Sequence, residues 1–159
     1  IVPMVESAAQ LEFIKDVTRW PPSGRRGVGF SRANLFGKNF EDYIDEAQQP
    51  ILVAMIESIK AVENLESILQ VQGLDAILIG PYDLSASMGL TAQFSNKKFT
   101  DLVNKICVLS DQFSVSCGIH QVTPDYNELR NKIDEGFRFI AYSSDSFFLS
   151  TSCENPTKA

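Results

Sequence analysis

Cysteine is scarce and unpatterned: Cys107, Cys117 and Cys153 are odd in number, widely spaced and without a C-x-x-C pair. They indicate neither a disulfide framework nor a thiolate zinc site, and a reducing, cytoplasmic setting fits them best. Imidazole is scarcer still. His120 is the only histidine, so any histidine base in this chain would be that residue. Basic charge is in deficit, with 14 Lys and Arg against 20 Asp and Glu and a formal net charge of −6. Such an exterior repels a phosphate backbone or an anionic membrane surface, which argues against nucleic acid and membrane as partners. No apolar run approaches the roughly 18 residues of a membrane span, there is no low-complexity tract, and no basic segment leads into an apolar one at the start. The chain opens on Ile1-Val2-Pro3-Met4-Val5 rather than on methionine, from which a missing upstream segment is expected.

What is present reads as one domain or part of one: 159 residues, 44% hydrophobic and 21% charged, enough to bury a core. Ile1 to Val5 is β-prone, and Ser7-Ala-Ala-Gln10 has capping-box spacing before a helix with Leu11, Ile14 and Val17 on one face. Trp20-Pro21-Pro22-Ser23-Gly24 ends that helix and opens a long loop. Within it Arg25 and Arg26 could grip an anion, although a loop held by neighbouring carboxylates is the commoner arrangement. A short amphipathic pattern follows at Phe40, Tyr43, Ile44 and Ala47.

The strand-helix alternation then repeats. Ile51 to Ile56 reads as a strand and Ser58 to Val71 as one helix ended by Gly73; Ala76 to Ile79 is the next strand, followed by a loop and a long helix around Phe99, Leu102, Val103, Ile106 and Leu109. Val115 to Val122 is a further strand, and Thr123 as cap with Pro124 at the first position predicts a helix with Tyr126, Leu129 and Ile133 on its apolar face, stopped by Gly136. Phe137 to Tyr142 is the fifth strand, leading to a short turn at Phe147 to Leu149. Strands apolar throughout, alternating with helices, are covered on both faces, so the fold class is α/β with a parallel sheet or barrel. Periodicity does not separate the two, but in both the loops after the strands' carboxyl ends carry the chemistry.

Two acids fall at such ends: Glu57 directly after Ile56, and Asp83 just past Gly80-Pro81. Neighbouring parallel strands about 4.8 Å apart would let them share one cation. Oxygen ligands with no nearby Cys or His suggest magnesium or manganese rather than zinc. Each acid can also merely complement a helix start or cap a turn, and a carboxylate pair can do acid-base work without metal. Gly80 permits close backbone approach, and the amides beyond it could receive an anionic group. Asp145 after the fifth strand reads as a turn cap.

The stretches VPMVESA (Val2 to Ala8), RWPPSGRRGVG (Arg19 to Gly29), MIES (Met55 to Ser58), NLESI (Asn64 to Ile68) and GLDAILIGPYDLSASMG (Gly73 to Gly89) together resemble the HpcH/HpaI family of class II, metal-dependent pyruvate aldolases. The resemblance implies a β/α barrel and cleavage of 4-hydroxy-2-oxo acids to pyruvate, as its enolate, and an aldehyde, with no Schiff-base lysine. It implies Glu57 and Asp83 as ligands of a divalent cation, magnesium or manganese, with cobalt as a further candidate. It also implies a substrate carboxylate against the Gly80-Pro81-Tyr82-Asp83 loop, received by the amides of Tyr82 and Asp83 because Pro81 has none to donate.

Three departures from the family pattern go with it. Met55 stands where the family usually has a substrate-holding glutamine, and a thioether cannot replace an amide donor. The C-terminal STSCENPTKA is a poor helix sequence. The match begins at the family's fourth strand, so the upstream histidine-aspartate dyad and the substrate arginine have no counterpart here. The resulting expectation is about the last five β/α units of a (β/α)8 barrel over residues 1–149, with an irregular tail over 150–159. Such a chain is a truncated product, a proteolysed remnant or a homo-oligomer that completes its sheet between copies. It keeps the metal site while its aldol chemistry is impaired. The alternatives are an acyl-CoA lyase of the citrate lyase or malyl-CoA lyase type and a non-catalytic oligomerising fragment.

Overall fold

The computed structural model describes residues 1–153. Ser7 caps helix α1 (Ala8–Thr18), its side chain accepting the Gln10 N–H at 3.2 Å, and Leu11 turns inward to complete burial. After the long loop and a 3-10 turn (Arg32–Gly37), α2 (Phe40–Gln48) packs Tyr43 and Ala47 with Trp20 in a small core of their own. Arg25 pairs with Asp16 at 2.6 Å, while Arg26 lies over the Trp20 and Tyr43 rings and donates to the Tyr43 hydroxyl at 3.0 Å. The two arginines thus hold their own loop.

Strands β1 (Val53–Ile56), β2 (Ala76–Ile79), β3 (Ser116–Gln121) and β4 (Phe139–Tyr142) form one parallel sheet in the order β1-β2-β3-β4. A fifth position is present only as a parallel bridge of Val2 to Ala54: the Val2 N–H donates to Val53 O and the Met55 N–H to Val2 O, both at 2.9 Å. The run expected to be a strand from Ile1 to Val5 goes no further because Pro3 has no N–H for a ladder and Met4 takes φ +54°.

Alternation sorts the strands onto two faces. Ala54, Ile56, Ile77, Ile79, Cys117 and Ile119 pack beneath the helices. Val53, Met55, Ala76, Leu78, Phe139 and Ala141 form a separate cluster on the other face. The helical cover comes from α1, from α3 (Ile59–Glu63) and α4 (Leu65–Leu69), and from α6 (Lys97–Gln112), which buries Phe99, Val103 and Ile106. Full burial of each large aliphatic side chain is worth about 1.5–3 kcal/mol, so this helix-covered face is the main source of stability.

Several expected elements take a different form. The single helix expected over Ser58 to Val71 is two, broken at Asn64 (φ −98°, ψ 8°), whose side-chain amide donates to Glu6 O at 2.9 Å. The segment after Gly80 is not a loop but the short helix α5 (Pro81–Ser87). Helix α7 (Tyr126–Asp134) is capped by Asp125, which accepts the Glu128 N–H at 2.7 Å; Thr123 instead offers its carbonyl to Asp125 N and to the Gln121 side chain. The apolar face expected on α7 buries nothing in this chain, Tyr126 being 67% exposed. Helix α8 (Asp145–Ser152) is capped by Ser144, not Asp145, and runs through the first residues of the segment expected to be an irregular tail. The rest of that tail, residues 154–159, lies outside the described residues. Among the described residues no helix is long and apolar enough to cross a membrane.

Candidate functional site

Parallel pairing sets Ile56 level with Ile79, and Ile79 level with Ile119. The next residues, Glu57, Gly80 and His120, therefore form one row at the carboxyl ends of adjacent strands, above the row Met55, Leu78, Gly118 and Phe139. Side-chain direction agrees: a Cβ added at Gly80 would lie 2.6 Å from Glu57 Oε1 and 2.8 Å from its Cγ. Glycine at 80 is thus the space that the glutamate occupies.

Glu57 is 6% exposed, and its Oε2 accepts the Met4 N–H at 2.9 Å. It does not cap the helix that follows, because Ser58 does so by accepting the Ala61 N–H at 3.1 Å. The donor peptide is held firmly despite the left-handed backbone of Met4. Gln10 donates to Met4 O at 3.1 Å and accepts from Glu6 N at 2.8 Å, and Asn64 anchors Glu6 O. The Glu6 carboxylate in turn accepts Ser58 Oγ at 2.8 Å and Lys60 Nζ at 3.0 Å. The long-range part of this clamp is invisible in the sequence, since the bonds of Met4 and Glu6 to Glu57, Ser58, Lys60 and Asn64 join positions more than fifty residues apart.

Lys60, and then the Ser58 hydroxyl, hold the Glu6 carboxyl below its ordinary value. A depressed folded-state value contributes stability that is complete above the unfolded carboxylate pKa, about 4.3, and is lost as pH falls through the folded value. Denaturation midpoints of the wild type and a Glu6→Gln variant are therefore expected to differ at pH 7 and to converge as pH falls below the ordinary carboxylate range. A constant difference would refute the linkage.

Asp83 is the third residue of α5 and exposed; Gly80 is the N-cap and Pro81 the first helical residue. First-turn amides have no acceptor within their own helix, and Pro81 has no N–H, so Tyr82 and Asp83 supply the first free amides after Gly80. The structure sets Glu57 against Gly80, and Pro81, Tyr82 and Asp83 follow in the first turn of α5. Met55 sits one row below on the same face, and His120 lies beyond Gly80 on β3. A cavity of about 460 Å³ opens on the far side, lined by Tyr82, Phe94, His120, Gln121, Glu128 and Lys132 among others; Glu57 and Asp83 do not line it.

Among the described residues no group of three or more His, Cys, Asp or Glu could hold a metal. Two carboxylates with open positions suit a hard cation that keeps water or substrate oxygens, as magnesium does, and do not suit zinc in a closed site of Cys and His. Cys107 and Cys117, widely spaced in the sequence, stand 3.5 Å apart between α6 and β3.

A parallel sheet covered by helices on one face, its strands all ending at the same rim, defines a protein of the β/α-barrel class. The chain belongs to the HpcH/HpaI aldolase/citrate lyase family, whose model matches residues 1–152. It is 37% identical over 148 residues to a 4-hydroxy-2-oxovalerate aldolase of Novosphingobium aromaticivorans, covering 92% of this chain and 55% of the relative. It is 36% identical to a hydroxypyruvate/pyruvate aldolase of Roseobacter denitrificans, covering 91% and 57%. The crystal structure of an HpcH/HpaI aldolase from Desulfitobacterium hafniense superposes with a TM-score of 0.80 at 29% identity, over 95% of this chain and 59% of that one. The chain thus spans a little over half the length of these relatives. Divalent-metal dependence is general in the family.

Proposed function

We propose that this chain carries the cation- and oxo-acid-binding rim of an aldolase that cleaves 4-hydroxy-2-oxo acids to pyruvate and an aldehyde. The observation that carries the reading is the Glu57 carboxylate, buried, fixed by the Met4 amide and laid over Gly80 beside the first turn of α5. Glu57 and Asp83 would hold magnesium or manganese, with cobalt as a further candidate. When bound, the cation supplies Lewis-acid stabilisation of the negative charge that develops on the oxo oxygen as the carbon-carbon bond breaks.

The chain's own residues do the positioning. The Met4 N–H occupies Glu57 Oε2 and so directs the other oxygen over Gly80. The Tyr82 and Asp83 amides receive the substrate carboxylate. Met55, below Glu57, offers a thioether and no amide donor, so the oxo group is gripped by fewer hydrogen bonds than a glutamine would allow. The names of the curated relatives favour a 2-oxo acid over a coenzyme A thioester.

Calorimetric titration of the chain with manganese, followed by pyruvate, tests the reading. One manganese per chain is expected, with pyruvate binding only after the metal. No manganese binding, or pyruvate binding that ignores it, would overturn the proposal. Homo-oligomer formation belongs to the same reading, because Phe30 and Phe36 are each 72% exposed and Leu35 57% around the Arg32–Gly37 turn. Sedimentation velocity should show mass rising with concentration, and a monomer throughout would remove this part.

A further inference from the structure

The thiol pair between α6 and β3 lies outside the proposed rim. Cys107 and Cys117 are ten positions apart in sequence, and their sulfurs are 3.5 Å apart. Cys117 is on the helix-covered face of β3 and buried, whereas Cys107 is half-buried on α6. Both line a cavity of about 280 Å³ whose wall includes Asp111, Glu135, Phe137 and Arg138, large enough for a small peroxide to reach the sulfurs. Ser110, also on α6, is fully buried with no partner for its hydroxyl, and it is a donor available to the Cys117 sulfur.

We propose that Cys107 and Cys117 are a reversible oxidation site, closing to a disulfide that ties α6 to β3 when the chain meets a peroxide.

The two sulfurs have distinct parts. The contact with Cys117 lowers the Cys107 thiol below its ordinary value, outweighing burial and the opposing carboxylates of Asp111 and Glu135, and the same contact, with burial, raises Cys117. Cys107 is also the more open of the two, half-buried where Cys117 is buried, so a peroxide meets it first: Cys107 is the attacking thiolate and Cys117 the resolving thiol. The Cys107 sulfur attacks one peroxide oxygen, the O–O bond breaks, and the departing hydroxide takes a proton to become water. Sulfur is oxidised by two electrons to a sulfenic acid. The Cys117 sulfur, giving up its proton, then attacks the Cys107 sulfur. The S–O bond breaks, and hydroxide leaves with that proton as a second water. Two thiols and one peroxide thus become one disulfide and two waters. The sulfurs need to approach to about 2.0 Å, which side-chain rotation and a small shift of α6 supply. The bridge would immobilise the base of β3 three residues before His120.

The test is a thiol count by alkylation and mass spectrometry on the full 159-residue chain before and after stoichiometric hydrogen peroxide. The expected result is a fall from three reactive cysteines to one, Cys153, with a linked Cys107–Cys117 peptide and full recovery on reduction. In Cys117→Ser, dimedone is expected to trap a sulfenic acid on Cys107; in Cys107→Ser no intrachain bridge forms. A Cys153→Ser chain, with the exposed thiol removed, should still form the bridge. Three thiols surviving peroxide, or linkage only through Cys153 or between chains, would overturn the proposal.

Discussion

Glu57→Gln is expected to weaken manganese binding by more than about a hundredfold, because even the outer hydrogen-bond partners of metal ligands typically cost 10–100-fold, while leaving the metal-free chain as stable as before or more so. The amide keeps an oxygen for the Met4 N–H, so the bond at 2.9 Å survives in neutral form. What disappears is a carboxylate charge at a site only 6% exposed, and removing such a charge relieves desolvation. A capping or purely structural carboxylate behaves in the opposite way, with stability falling and metal binding unmoved. Calorimetry and urea denaturation on the same preparation separate the two. Gly80→Ala is the steric counterpart. Its Cβ would sit 2.6 Å from Glu57 Oε1, an atom at the end of a side chain that can swing aside. The fold should survive, but the carboxylate would be displaced and the metal affinity lowered with it.

Gly118→Ala is expected to destabilise the chain by about 2–3 kcal/mol, the upper part of the range for overpacking. A Cβ at 118 would meet Phe139 Cδ1 at 2.6 Å, and no rotamer change relieves its second clash, with the Phe139 carbonyl oxygen at 2.7 Å. β3 and β4 would have to separate along a register that pairs Gly118 with Phe139 and His120 with Ala141. Phe139→Ala in the Gly118→Ala background removes the ring and leaves the carbonyl, so it should not restore stability. A change within about 0.5 kcal/mol for Gly118→Ala, the ordinary range for a surface site, measured by urea denaturation, would show that the strands yield more easily than this packing implies.

The strand and helix order was legible because it rests on local signals. Ala76 to Ile79 has the boundaries expected from its apolar run. The Ser7 cap and the stripe of Phe99, Val103 and Ile106 appear as their spacing predicts. The elements that differ do so where a specific hydrogen bond, distant or local, overrides the spacing pattern. Asn64 breaks an otherwise continuous helical stripe because Glu6 O, far away in sequence, takes its amide. Thr123-Pro124 has the form of a helix start, but Gln121 and the Asp125 N–H engage the Thr123 carbonyl, and the cap passes to Asp125.

The alternation of apolar strands and amphipathic helices determined the parallel α/β class from the sequence alone, because burial on both faces of a sheet is a composition rule that acts residue by residue. The motifs likewise determined the family and put Glu57 and Asp83 forward as candidates. Only the tertiary structure decided that Glu57 lies over Gly80 under the Met4 amide, that the Glu6, Gln10 and Asn64 clamp holds that amide, and that two dispersed cysteines touch. Each of these depends on strand register and on helix placement against the sheet, which arise when distant segments pack and leave no trace in local spacing.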